Sequence, residues 1–136
     1  MKLLILDCNE FAYTLDHKTA AGEEIIESQK VGSYKNPLVV FVTIEEKDTE
    51  QTLSPVAKEL RRIAQKNNVK HVILNPFAHL SSQLASPPKA IELLDFFAKK
   101  LKECNDFRTE RSVFGWYKQF TIDVKGHEYS QIFREY

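Results

Sequence analysis

An α/β fold is predicted by three observations. "PLVVFVTIE" (37–45) and "VKHVILNP" (69–76) are apolar on both parities, as strands covered on both faces are. Each is followed by an amphipathic stretch of helical period, "SPVAKELRRIAQKNN" (54–68) and "SPPKAIELLDFFAKKLKEC" (86–104). Strand, helix, strand, helix is the order of a parallel α/β core, and further strand-like runs flank it on both sides.

Taken in order, "KLLILDC" (2–8) and "EFAYTLD" (10–16) read as two strands around Asn9, which suggests a tight reversal there. Residues 17–36 are polar with two glycines and read as loop with a short element near Ile25. Within 37–45, Leu38, Val40, Val42 and Ile44 share one face, and Val39 and Phe41 take the other. The helix over 54–68 takes Ser54 as N-cap and Pro55 as first residue, buries Val56, Leu60, Ile63 and Ala64, and stops at a left-handed Asn67 or Asn68. The helix over 86–104 opens on the same Ser-Pro signal and carries Ala90, Leu93, Leu94, Phe97 and Leu101 at helical spacing. Residues 107–127 read as two strands with a turn at or just before Gly115, and 128–136 as a short terminal segment.

The 136 residues, 43% hydrophobic, fit one domain over 1–136. Lys plus Arg number 19, as do Asp plus Glu, so the balance is not that of a non-specific nucleic-acid binder, and any RNA contact is local. No apolar run reaches the ~20 residues that cross a bilayer, and "MKLLILDC" is too short and too quickly acidic for a signal peptide. The expectation is a soluble, cytoplasmic protein with no membrane contact. Cys8 and Cys104 lie far apart without a CxxC pairing and read as reduced thiols.

Two stretches carry candidate chemistry. Residues 77–85 follow the carboxyl end of a predicted parallel strand, where open α/β sheets bind ligands, and the connection is longer than such links usually are. In "FGWYKQFTIDV" (114–124), alternation puts Phe114, Trp116, Lys118, Phe120, Ile122 and Val124 on one face and Tyr117, Gln119, Thr121 and Asp123 on the other. Lys118 is the only charge on the apolar face. Either it lines a pocket, where burial lowers its pKa, or it snorkels outward or is turned to solvent by a bulge at Gly115. His79, Ser81 and Ser82 suggest a nucleophile and base, but there is no G-x-S-x-G elbow and no acidic partner to orient the histidine. His17, His71, His79 and His127 show no metal-ligand spacing, so no metal site is predicted. His71 reads as a packing or solvent-facing residue.

"NPFAHLSSQLASPPKAIELL" followed by "FGWYKQFTIDVKGH" resembles the amino-terminal editing domain of archaeal threonyl-tRNA synthetases, and the resemblance covers nearly the whole chain. It implies a D-aminoacyl-tRNA deacylase-like fold: a mixed sheet with a strand pair, two strand-helix units and a closing set of strands. It implies hydrolysis of L-seryl-tRNA(Thr), without a cofactor, by a homodimer that takes the tRNA(Thr) 3′ end carrying serine. The catalytic domains of threonyl-tRNA synthetase are further expected partners. On the matching positions, Lys118 would position the terminal ribose and the attacking water, and Tyr117 and His79 would shape or hydrogen-bond the 3′ end. Pro76, Phe77, Ala78, Ile44 and Ala90 would lie near the pocket, with Phe114 a wall for adenine, and the main chain of "PFAH" would hold the ester. The substrate's own 2′-hydroxyl would assist the water.

Two departures stand out. Gln131 occupies the place where the family usually has a glutamate, with Glu128 nearby as a possible substitute, and "LDCNE" replaces the usual histidine-serine-aspartate sequence. A neutral amide hydrogen-bonds but is no ordinary proton acceptor. Two rival readings stay open: a D-aminoacyl-tRNA deacylase on the same scaffold and, made worth testing by Gln131, a non-catalytic tRNA-binding or dimerisation module.

Overall fold

The computed structural model describes all 136 residues. Its elements are β1 (Lys2–Lys18), β2 (Val31–Lys35), β3 (Leu38–Thr43), α1 (Glu50–Lys66), β4 (His71–Pro76), α2 (Pro87–Lys102), β5 (Arg108–Arg111), β6 (Trp116–Val124) and β7 (Gln131–Glu135), with a 3₁₀ turn at Glu27–Gln29. The α/β class and the two strand-helix units are as the sequence predicts. β3, β4 and β5 are mutually parallel, and β1 runs antiparallel to β2, β3, β6 and β7, so the sheet is mixed.

The predicted reversal at Asn9 does not occur. Residues 2–18 form one strand, with a shift of register against β6 between Cys8 and Glu10. Asn9-Glu10 lacks the glycine that a two-residue hairpin turn favours, and the chain takes one extra residue as a bulge instead. The consequence is visible in which side chains share a core. Leu6 and Cys8 before the bulge and Phe11, Tyr13 and Leu15 after it pack into the same cluster, whereas strict alternation would place the two sets on opposite faces.

β1 is paired along both edges. β3 and β7 flank its first part, from Lys2 to Asp7 and Lys2 to Leu6, and β2 and β6 flank its second, from Glu10 to Thr14 and Cys8 to Lys18. The segment expected as loop over 17–36 thus contains β2, and the terminal segment contains β7. Residues 107–127 do form two strands, but not a hairpin: β5 extends β4 in parallel while β6 returns to β1.

The α1 boundary also differs from expectation. Thr49 caps the helix by accepting from Thr52 N at 3.3 Å, and Thr52 Oγ1 answers by accepting from Thr49 N. Ser54 is therefore inside the helix, with its hydroxyl donating to the Glu50 carbonyl at 3.0 Å, and exposed Pro55 follows it. The carbonyl that Pro55 leaves without an intrahelical donor belongs to Gln51, on the solvent side, where water can satisfy it. At the other end Asn68 has φ 52°, the left-handed stop that the sequence indicated.

Two cores result. Leu3, Ile5, Val40, Val42, Val72 and Leu74 pack under Leu53, Leu60, Leu94, Phe97 and Leu101 of the helices. Val39, Phe41 and Ile73, on the opposite face, are covered by Phe11, Tyr13, Leu15 and Val113. β3 and β4 are buried on both sides, which explains their unbroken apolar runs. Cys8 is buried and Cys104 half-buried, and both are free thiols. No helix is long and apolar enough to cross a membrane. Deleting Asn9 moves every side chain of one half of β1 to the wrong face, so the deletion is expected to abolish cooperative thermal unfolding, while Asn9→Ala keeps it; calorimetry separates the two.

Candidate active site

β4 ends at Pro76, and residues 77–86 then run to α2 along the carboxyl edge of β3. Backbone bonds fix this path: Phe77 N donates to Val42 O at 2.9 Å, Ala85 N to Ile44 O at 3.1 Å and Glu46 N to Gln83 O at 3.1 Å. Thr43 Oγ1 donates to the Phe77 carbonyl. Ser81 Oγ donates to Glu45 Oε1 at 2.7 Å, and Glu45 Oε2 accepts from the Met1 ammonium at 2.8 Å. Burial pushes the Glu45 carboxyl up, but hydrogen bonds from the amino terminus and Ser81 outweigh it and hold the group below its ordinary value. The loop is pinned on both sides of an exposed tip, Ala78-His79, whose two amides donate to no acceptor in the chain.

Facing the tip is the start of β6. Gly115 has φ +75°, and its carbonyl accepts from Thr19 N at 2.9 Å and Thr19 Oγ1 at 2.7 Å. A Cβ on Gly115 would stand 2.6 Å from Gly22 Cα, so the two glycines allow backbone to lie on backbone. Trp116 Nε1 donates to Glu23 O at 2.9 Å and secures the same junction.

A cavity of ≈ 400 Å³ lies between these walls, lined by Asn75 to His79, by Phe114 to Lys118, and by Phe120, Thr19 and Ala21. That volume is in the range of small-ligand sites. Asn75 is buried and held by Ser112 Oγ, which donates to its Oδ1 at 2.6 Å. Phe77 packs edge-on against Phe41 at 4.9 Å and His79 at 5.0 Å between ring centres, and Tyr117 lies against His17 at 4.6 Å.

Lys118 is at the cavity wall, half-buried, and not turned out to solvent by a bulge. Its ammonium donates to Val113 O at 2.8 Å. Burial, followed by the nearby Arg111 charge, brings its pKa down to about 8, against a smaller opposing pull from Glu23. At neutral pH the group is mostly a cation, with a neutral fraction that grows just above neutrality.

Of the residues named from sequence, the fold brings Pro76, Phe77, Ala78, His79, Phe114, Tyr117 and Lys118 together around this cavity. It does not bring Ile44, Ala90 or Gln131. Ile44 shares parity with Val40 and Val42 and so points into the helix-side core, where buried Ala90 of α2 meets the same core. Gln131 is exposed on β7, opposite Leu6. Ser81 serves Glu45 and not His79, so no serine-histidine pair forms. His71 is half-buried, with its Nε2 beside the Glu110 carboxylate and its ring edge-on to Tyr34 at 5.1 Å. Sequence reasoning missed Asn75, Thr19, Ala21, Glu23 and Arg111. Asn75 had a signal, a polar residue inside an apolar strand, whereas Thr19, Ala21 and Glu23 sit in a segment without period.

The family described as the archaea-specific editing domain of threonyl-tRNA synthetase matches residues 1–136. The chain belongs to this family. A threonine–tRNA ligase of Staphylothermus marinus is 37% identical over 133 residues, 97% of this chain and 22% of the relative. One from Caldivirga maquilingensis is 39% identical over 137 residues, 98% of this chain and 22% of the relative. This editing domain thus spans about a fifth of the curated relatives it matches. A solved structure titled c-Myc DNA Unwinding Element Binding Protein superposes with a TM-score of 0.75, covering 100% of this chain and 99% of the other at 14% identity, a likeness of fold.

Two outcomes are expected from the site. Gly115→Ala forces a side chain into the left-handed region and onto the Gly22 backbone, and denaturant unfolding should show a loss on the order of 1–3 kcal/mol. A lowered lysine pKa means that the folded chain holds fewer protons than the unfolded one between about 8 and the ordinary value near 10.5. The Lys118 contribution to stability therefore rises with pH across that window and is flat below it, and comparing the stability–pH curve with that of Lys118→Met isolates the slope.

Proposed function

We propose that this editing domain hydrolyses L-seryl-tRNA(Thr). The observation that carries the reading is the juxtaposition, around one ≈ 400 Å³ cavity, of a loop tip with free backbone amides and a half-buried ammonium. An aminoacyl ester needs donors where negative charge grows on its carbonyl oxygen, and the amides of Ala78 and His79 are donors without another partner. The terminal adenosine has aromatic surface to meet in Phe114, Phe77 and Tyr117, and a base stacked on an aromatic contributes roughly 1–3 kcal/mol. An overall charge of zero is compatible with gripping one nucleotide in this way.

Water attacks the carbonyl carbon, a tetrahedral oxyanion forms, and the C–O bond to the ribose breaks with a proton delivered to the departing ribose oxygen. Lys118, mostly cationic at neutral pH, holds the ribose and the water and offsets the growing negative charge. The neighbouring hydroxyl of the same ribose assists the water, so no side-chain nucleophile is needed, consistent with Ser81 being committed to Glu45. Gln131 stands outside this cavity, so the replacement of a glutamate by an amide there leaves the cavity lining of the single chain intact. Serine and threonine differ by one methyl group, which binding alone separates by only ~1–3 kcal/mol, and this is the physical reason for a second, hydrolytic sieve. Homodimerisation and association with the catalytic domains of the synthetase are parts of the same proposal.

Purified protein should release serine from L-Ser-tRNA(Thr) and leave L-Thr-tRNA(Thr) intact, as followed by loss of labelled amino acid. Lys118→Met should slow the reaction on the order of 10²-fold without lowering the melting temperature at pH 7, since the buried charge it removes is disfavoured by its surroundings. Cleavage of D-aminoacyl-tRNA in place of the seryl ester would reassign the substrate, and binding of a non-hydrolysable seryl-adenosine without turnover of any ester would make the domain a binding module.

A further inference from the structure

We infer that Glu23 and Arg111 are positioning residues for the candidate site, a carboxylate–guanidinium clamp that fixes the main chain from Ser112 to Trp116 and with it the carbonyl on which the Lys118 ammonium rests. The inference rests on the reading of the cavity as an ester-hydrolysing site.

The geometry is unusually complete for one side chain from an irregular segment. Glu23 Oε1 accepts from Arg111 Nη2 at 2.8 Å, and Oε2 accepts both from Arg111 Nη1 at 2.9 Å and from Phe114 N at 2.7 Å. The Glu23 amide donates to Phe114 O at 3.1 Å, and its carbonyl accepts from Trp116 Nε1 at 2.9 Å. Every polar group of Glu23 is thereby spent on the stretch 111–116. Arg111 is held in turn by Asp95 of α2, its Nε donating to Oδ1 at 2.8 Å, while Nη1 also reaches Ser112 O at 3.1 Å. Both side chains are well shielded, 22% exposed for Glu23 and 15% for Arg111.

Bidentate pairing in such a setting gives directional constraint as well as attraction. The constraint matters because Val113, whose carbonyl takes the Lys118 ammonium, lies between the clamped residues, and because Phe114 and Gly115 line the cavity. A displacement of about 1 Å at a reacting centre costs on the order of 10²-fold in rate.

The clamp also contributes, after burial, to the field at Lys118. The charged or titratable groups about it are Arg111 at the end of β5, Glu23 from the segment before β2, and His79 and Tyr117 on the cavity lining. Arg111 disfavours the ammonium and Glu23 favours it. Burial pushes the Glu23 carboxyl up, but its bonds to Arg111 and Phe114 N outweigh this and hold it below the ordinary range, so both clamp charges persist at neutral pH. Removing one charge leaves the other uncompensated beside Lys118.

The test uses Glu23→Gln, Arg111→Met and the doubly neutral Glu23→Gln/Arg111→Met, with Arg111→Lys to retain charge without the bidentate fork. The side-chain resonance of Lys118 is titrated by NMR, and single-turnover deacylation of L-Ser-tRNA(Thr) is measured on the same proteins. The expected result is opposite movement: the Lys118 midpoint falls in Glu23→Gln, rises in Arg111→Met and returns towards the original value in the double variant. The rate should fall about ten- to a hundredfold in each single variant, and Arg111→Lys should keep the low midpoint while losing rate. Midpoints that stay put, or that rise together as a loosened segment admits water, would overturn the clamp. Should either single variant fail to fold, the double variant against Arg111→Lys still decides it. Absence of turnover by the unsubstituted chain would refute the editing reading, and the titrations would still judge the clamp.

Discussion

Pairing along both edges of one long strand is the constraint on which the structure depends. β1 gives its first part to β3 and β7 and its second to β2 and β6, so four strands take their register from it. The bulge at Cys8 to Glu10 bends the strand and changes which parity faces inward. That change lets Phe11, Tyr13 and Leu15 cover the face of β3 and β4 that the helices leave open. A flat, regular β1 would present those three side chains to water and leave Val39, Phe41 and Ile73 uncovered.

The same bend explains where the cavity is. Parallel strands place their connecting loops at one end of the sheet, and the β4–α2 loop leaves from that end. β6, returning along β1, has its first residues on the cavity lining together with that loop. One wall is main chain of an irregular loop and the other is a strand rich in aromatic residues, so the site combines unpaired amides with flat apolar surface. The β6 wall is anchored by the close passage of Gly115 over Gly22.

Groups that do not line the cavity contribute to the electrostatics inside it. Arg111 lies outside the cavity lining, yet with burial it determines how readily Lys118 carries its charge. Glu45, likewise buried away from the cavity, fixes the loop through Ser81. In both cases a charge with low exposure is tolerated because it is paired and hydrogen-bonded, which also makes it directional.

Much of this was legible in the chain. Unbroken apolar strands, helical stripes and the Asn68 stop come from local chemistry: side-chain periodicity and backbone preference act over a few residues, and a sequence displays both. The alternation in β6 likewise placed Lys118 on the apolar face, and the length of the loop after β4 singled out a stretch that the fold brings to the cavity lining. What only tertiary structure decided is of another kind. Whether Asn9 turns the chain back or bulges it depends on pairing beyond any local window, since β1 is claimed both by β2 and β3 and by β6 and β7, the latter more than a hundred residues from Asn9. Thr49 rather than Ser54 begins α1, because Leu53 is wholly buried and the helix gains by starting before it. Glu23, in a stretch without period, acquires its role solely by meeting Arg111 and Phe114, and such long-range pairings leave no local pattern to read.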